Sequence, residues 1–541
     1  MYPSLKIDLT GRTCKMACVS HDFWLLGAVY DGDRRCAPSE VRDRLFECDD
    51  RESMSRMLRR FGGFFSIVFR HTDGRVFAVT DRGRTHPLLY VRRSGQFIIS
   101  DAPEKLLEAL PVRMLDPLAA EEFATAGFVS GGRTLIEGVE SMGPATILQI
   151  DSDGAVASVC YRDFVPNLAD GDSEDMEECA AKLEEALRRT VDRLISFAGG
   201  RTLILPLSGG VDSRALLAFL LSSGYEKIKT FTFGRATSRD YRVGLSLAKA
   251  GKVAFRAVPY TRLRWRAVWH DPHFEDYLAH AHGLTSVPNL QAVPALLELR
   301  RSGWIEADAV FVPAFAGFFP GGCLPSAATV ERLVSDLSAT NLDGFDEFLM
   351  KRHFRTSDLE RIAPAVRERV AGQLRALRTS HPTFAESNPS ERVILLSEAF
   401  EYHERQAKFI GNACRYFDSF GYDWWLPMWD VDFVDVCESL PLNWRRDKSL
   451  LKMLTHRFER RYPQMVGAPP PFIVNGGFVK NQRLRALVGY FLDPFGQFAV
   501  VPFVDWLARV YGRSPSGGTV IDVLSQRCLR SLGPALGRST A

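Results

Sequence analysis

The chain is 541 residues long, 46% hydrophobic, 25% charged and 11% aromatic, the profile of a folded protein rather than a disordered or fibrous one. At roughly 100–200 residues per domain it is too long for one ordinary core, so two to four domains are expected. Lys plus Arg is 68 against 65 Asp plus Glu, and a net charge of +3 argues against a protein that coats nucleic acid.

Met1 to Thr13 alternates polar and apolar residues, without the basic stretch and apolar run of a secretory leader. The ten cysteines are scattered, and none forms a Cys-x-x-Cys pair. Cys14 and Cys18 come nearest, but no second pair of Cys or His follows at zinc spacing, so buried free thiols in a reducing, cytoplasmic setting are expected. Up to Asp163 the chain reads as short strands: Phe64–Phe69, Arg75–Thr80, Leu88–Val91, Phe97–Ser100 and Ala145–Asp151. Asp73-Gly74 and Ser94-Gly95 supply hairpin turns, and Pro103–Leu110 and Pro117–Thr125 read as helices. Residues 166–178 are polar and acidic without periodicity, the composition of a linker.

Beyond the linker the character changes. Ala180–Phe197 is an amphipathic helix, Thr202–Leu207 a buried-type strand, Arg214–Ser222 an apolar helix, Ile228–Phe233 a strand, Tyr241–Ala250 a helix and Phe255–Val258 a strand. Strands alternating with helices imply right-handed crossovers and a parallel sheet, giving an α/β fold. From Thr329 to about Phe409 the chain reads as helical, with the Arg and Glu of Leu359–Arg378 on solvated faces. Ala486–Val510 is the most apolar late stretch, but Asp493-Pro494, Gly496 and Asp505 break it, so no membrane span is expected.

The segment that carries chemistry is Leu203-Ile-Leu-Pro-Leu-Ser208-Gly209-Gly210-Val211-Asp212-Ser213-Arg214. A strand ends in two glycines, two hydroxyls and a carboxylate, and a helix starts at once. Glycines let backbone N–H groups approach a polyanion, the helix N-terminus adds a favourable dipole, Ser208 and Ser213 can donate to phosphate, and Asp212 can hold Mg2+. No Gly-Lys-Ser/Thr follows, so this is not the Walker loop, and the dinucleotide glycine spacing is absent. The alternative is a Gly-Gly turn capped by Asp212 and Ser213, which starts a helix without any ligand.

With these residues the chain resembles the asparagine-synthetase-like amide ligases, a family that includes β-lactam synthetases and lasso-peptide cyclases. Phe61–Phe69 and Asp81–Tyr90 are similar to that family's amino-terminal glutaminase sandwich, and Leu207, Ser208, Gly209, Gly210, Asp212 and Ser213 to its ATP loop. Thr230–Gly234 is similar to its second strand, with Thr232, Phe233 and Gly234 beside the adenine. Arg415 and Gly421–Asp430 resemble the Arg and Gly-x-Glu-x-Arg-x-Pro-x-x-Asp segment of its synthetase site, and Glu404–Ile410 resembles the variants found in bacterial surface-polysaccharide clusters. The resemblance implies a glutaminase-like (Ntn-hydrolase-like) α+β sandwich over 1–165, a linker over 166–178, and a pyrophosphate-loop parallel-sheet domain with a helical extension over 179–541.

The implied activity is adenylation of a small-molecule or peptide carboxylate by ATP with Mg2+, followed by attack of ammonia or a substrate amine. Arg415 is the implied phosphate or carboxylate clamp, Asp423 an acid/base, Asp212 the metal ligand and Lys480 a stand-in for the family's late lysine. A second copy of the chain is one partner the resemblance allows; nucleic acid is not expected.

Several positions depart from the pattern. The family's glutaminase needs Cys immediately after the initiator Met, with its α-amino group as base, and this chain has Tyr2; Trp24–Tyr30 stands where Asn-Gly-Glu is expected. No glutamine hydrolysis is expected. Phe318 stands where a second magnesium carboxylate would sit, Pro469–Phe478 contains no lysine, and Lys480, Lys448 and Lys452 are all out of register. Asp423 replaces Glu, and Trp425 replaces Arg. The aromatics Phe315, Phe318, Phe319, Trp424 and Trp425 either line a pocket for an apolar substrate or fill core. An active ligase therefore stands beside a nucleotide-binding pseudoenzyme or scaffold. A tRNA-modifying or sulfur-transfer enzyme, the third reading, is disfavoured by near-neutral charge and scattered cysteines.

Overall fold

The computed structural model describes residues 4–10, 16–93, 96–110, 112–172, 175–234, 239–315, 317–336, 343–354, 362–461, 528, 529 and 532. Tyr2, Cys14, the Ser94-Gly95 turn, Pro469–Phe478, Lys480 and Ala486–Val510 lie outside the described residues.

Among the described residues, eleven strands form the amino-terminal part: β1 (Ser4–Asp8), β2 (Met16–Ser20), β3 (Phe23–Asp31), β4 (Arg34–Arg35), β5 (Phe61–Arg70), β6 (Val76–Thr80), β7 (Leu89–Arg93), β8 (Gln96–Ser100), β9 (Val139–Ser141), β10 (Thr146–Ile150) and β11 (Val156–Cys160). They make two sheets, ordered β1-β8-β7-β9 and β11-β10-β6-β5-β3-β2, with β4 paired to β3. Side chains alternate along each strand, which sets the layers. On β5, Val68 faces the other sheet and meets Phe97 and Ile99 of β8, while Phe65, Ile67 and Phe69 face away. That outer face is covered by Val41, Leu45, Met54 and Leu58 of helices Pro38–Phe46 and Arg51–Arg60. Leu106 and Leu107 of helix Pro103–Glu108 cover the far face of the smaller sheet beside Leu89, Val91 and Ile98. The order through the amino-terminal part is thus helix, sheet, sheet, helix.

The second part is built on one parallel sheet of β12 (Leu203–Pro206), β13 (Ile228–Gly234), β14 (Ala254–Pro259), β15 (Val310–Phe311) and β16 (Asp423–Trp424), ordered β14-β13-β12-β15-β16. Leu203, Ile204 and Leu205 are consecutive and all buried, as a parallel strand covered on both faces requires. Chain order runs outward from β12 to β14 on one side and through β15 to β16 on the other, so a topological switch point lies between β12 and β15.

Helices Ala327–Asp336, Asp343–His353, Pro364–Ser380 and Pro389–Phe400 form a separate cluster around Phe345, Leu349, Val370 and Leu396. Pro364–Ser380 buries Val366, Val370, Leu374 and Leu377 at helical spacing. One of its arginines departs from the solvated-face reading, because Arg369 is 3.0 Å from Asp116 of the amino-terminal part and nearly buried.

The linker reading also needs correction. The long helix Asp175–Ala198 begins within 166–178, and the residues before it are pinned to the carboxyl-terminal part. Asn167 N–H donates to Glu438 O (2.6 Å), Gly171 N–H to Asn443 Oδ1 (3.0 Å), and Leu442 N–H to Ala169 O (2.8 Å). Polar composition here reflects backbone docking rather than freedom in solvent. The two parts also share apolar core, since Tyr30 and Phe64 pack on Trp425 at centroid distances of 5.5 and 4.7 Å, with Phe197 at 4.6 Å.

Candidate functional site

The carboxyl edge of the parallel sheet holds a cavity of about 260 Å³ at the switch point. Its walls come from the ends of three strands: Pro206 and Leu207 after β12, Phe231 to Phe233 in β13, and Pro313 to Phe315 after β15. Leu207, Ser208, Gly210, Asp212, Ser213, Thr232 and Phe233, all singled out from sequence, line it together. Gly209 is buried within the loop, and Gly234, at a φ of +108°, ends β13 beside the cavity; neither lines it.

Hydroxyl contacts hold the loop in shape. Ser213 Oγ lies 3.1 Å from Ser208 Oγ and accepts from Ser208 N–H (3.2 Å), while Ser208 Oγ accepts from Gly210 N–H (3.1 Å). Helix Val211–Ser222 has Gly210 as its N-cap, and no side chain caps it. The start of this helix, with its N–H groups and dipole, lies at the cavity, an arrangement suited to an anion. Asp212 does not serve as the cap that the ligand-free alternative requires.

Asp212 instead pairs with Lys448, whose Nζ lies 2.7 Å from Oδ2 and 2.9 Å from Oδ1. Lys448 was out of register with the family pattern and reaches the loop through an irregular turn: Asp447 and Lys448 both have left-handed φ, +53° and +57°. This turn packs on Phe318–Gly322. The lysine stem crosses Gly322, where a Cβ would sit 2.5 Å from Lys448 Cε.

Mg2+ does not fit these residues. Both oxygens of Asp212 already contact an ammonium, and Phe318 is 1% exposed in a core of Phe164 (5.0 Å), Phe319 (5.1 Å) and Tyr402 (6.3 Å). Among the described residues no three His, Cys, Asp or Glu side chains gather as metal ligands. Of the aromatic replacements, Phe318 and Phe319 are core, and Phe315 lines the cavity.

Two other expected residues are elsewhere. Arg415 is buried, with Nε 2.9 Å from Asp418 Oδ2 and an Nη donating to Thr85 O at 2.8 Å; its neighbours Tyr416 and Phe417 line the cavity in its place. It ties the amino-terminal part down and does not line the cavity. Asp423 is the first residue of β16, in register with Val310 and through it with Leu203, at the amino edge of the sheet. Five residues of strand and loop separate that level from Ser208, at most about 17 Å at about 3.3 Å per residue.

Asp423 pairs with Arg201 (2.5 Å) and borders a smaller cavity of about 100 Å³ between the two parts, with Gly27, Phe64, His86, Trp424 and Trp425. Burial, and then the charge of Arg415, hold His86 well below the ordinary histidine range, so it is neutral there. The seam cavity and the loop cavity open at opposite ends of the sheet. Gln291 and Ala292 line the loop cavity and carry no motif by which sequence would find them. Comparison with protein-family models and with curated proteins gives no match for this chain.

Proposed function

We propose that this protein binds ATP in the cavity at the carboxyl edge of the parallel sheet and acts as an AMP-forming amide ligase of the asparagine-synthetase type. The observation that carries the reading is the uncapped N-terminus of helix Val211–Ser222, opening from a Ser-Gly-Gly turn at a topological switch point. In this reading the phosphates lie on Ser208–Ser213 and the adenine lies against Thr232–Gly234 between Phe233 and Phe315. A substrate carboxylate oxygen attacks the α-phosphorus and pyrophosphate leaves; ammonia or an amine then attacks the acyl carbon, AMP leaves and the nitrogen loses a proton. The helix–sheet–sheet–helix layering of the amino-terminal part supports a glutaminase-like sandwich without its nucleophile, as Tyr2 implies.

A second reading, a nucleotide-binding protein without turnover, is favoured by Asp423 at the opposite edge and by Arg415 locked on Asp418. Pyrophosphate release from ATP with a panel of carboxylic acids separates the two. The ligase reading predicts acid-dependent pyrophosphate that falls at least tenfold in Ser208→Ala/Ser213→Ala. Bound ATP recovered intact in every case supports the second reading, and absence of ATP binding sinks both.

A further inference from the structure

We propose that the loop cavity binds the polyphosphate of a nucleotide without a divalent cation, with the Lys448 ammonium in the metal's place. The inference rests on the nucleotide reading above and concerns how charge is neutralised there. Two separate features point the same way. The segment that would bring a second carboxylate, Phe318–Gly322, has turned its residue 318 into the core and uses Gly322 as the floor over which the Lys448 stem passes. Lys448 is also held by consecutive left-handed non-glycine residues, a strained backbone that persists where surrounding structure enforces it.

Without Lys448, Asp212 would place a bare carboxylate against an incoming phosphate. With it, the pair is neutral, the helix N-terminus supplies positive potential, and the ammonium keeps a third N–H for a phosphate oxygen. A lone, partly exposed ion pair contributes little to stability, so holding the fold gives no sufficient reason for the strained turn.

The test is calorimetric titration of the full chain with ATP and with pyrophosphate, in excess EDTA and in millimolar MgCl2. The proposal expects dissociation constants within threefold of one another in the two buffers. In EDTA, Lys448→Met weakens binding at least tenfold. Asp212→Asn releases the ammonium from its partner and tightens binding in EDTA threefold or more; a carboxylate needed for a metal would show the reverse. Circular dichroism and unfolding midpoints of each variant separate lost binding from lost fold. Binding in MgCl2 that falls tenfold or more on chelation overturns the inference and leaves the nucleotide reading standing. No binding in either buffer overturns both.

Discussion

Arg193 shows how much of this molecule turns on one buried charge. It projects from helix Asp175–Ala198, is 1% exposed, and bonds Asp430 through Nε (2.9 Å), Asp33 through an Nη (2.8 Å) and Asp432 through the other. Asp430 is fully buried, and its side chain also accepts from Asp432 N–H at the start of helix Val431–Ser439. Removing the guanidinium leaves a carboxylate in the interior without a counter-charge, whereas the intact pair contributes little net. Arg193→Met is therefore expected to lower the unfolding free energy by about 3–5 kcal/mol in denaturant titration. The double variant with Asp430→Asn is expected to lose less than the sum of the two single losses. Strict additivity would refute a direct pairing. The sequence displays Arg193 merely as one more charge on an amphipathic helix, because the acids it serves are 160 residues before it and 237 and 239 residues after it in the chain.

At the scale of elements, the Ser208–Ser213 loop is positioned by a helix that touches the strand end before it through a glycine. Gly244, within helix Arg239–Ala250, lies so close to the end of β12 that a Cβ would sit 2.9 Å from Leu207 O. Two effects of opposite sign meet there. Alanine would improve helix propensity by about 1 kcal/mol, but overpacking against backbone costs about 1–3 kcal/mol. Gly244→Ala is expected to be net destabilising and to weaken ATP binding severalfold, read by the thermal midpoint and by titration; a raised midpoint with unchanged affinity would show that the helix simply slides.

These elements were largely legible. Proline at the first position and the Asp116 side-chain cap mark the start of Pro117–Thr125, and strand–helix alternation reveals the parallel sheet. The edge on which a residue emerges was not legible. Asp423 sits in a motif-like string, yet only pairing with Val310 decides that it opens a strand at the amino edge. Lys448 was hidden for a related reason, since its turn uses Asp447 at positive φ in place of the glycine that would announce it.

For the whole molecule, burial of histidines ties stability to pH. His282 is 1% exposed, and burial lowers it to about 4; burial also lowers His353 to about 4, against a partial pull from Glu401. Groups depressed in this way contribute stability that is fully present above about 6.5, the unfolded value, and lost as pH falls through 4. Glu122 works in the opposite sense: burial raises it to about 7, so its contribution is lost as pH rises through that value.

His282→Asn retains an acceptor for the Leu284 N–H, which lies 2.9 Å from Nδ1, and removes the titration. Between pH 7 and 4 the variant is expected to lose roughly 3 kcal/mol less than the parent, from denaturant titrations at each pH. Parallel pH profiles for the two proteins would rule out the assignment.

The burial of Phe318 also bears on what this position can become. Its ring is enclosed by Phe164, Phe319 and Tyr402, so an aspartate at 318, the residue the resemblance expects, would now place an unpaired carboxylate among three aromatic rings. Phe318→Asp by itself would yield an unstable protein before it yielded a metal centre. A carboxylate at this position would be tolerated only if the surrounding aromatics changed with it, so residue 318 and its three neighbours are free to vary together but not singly.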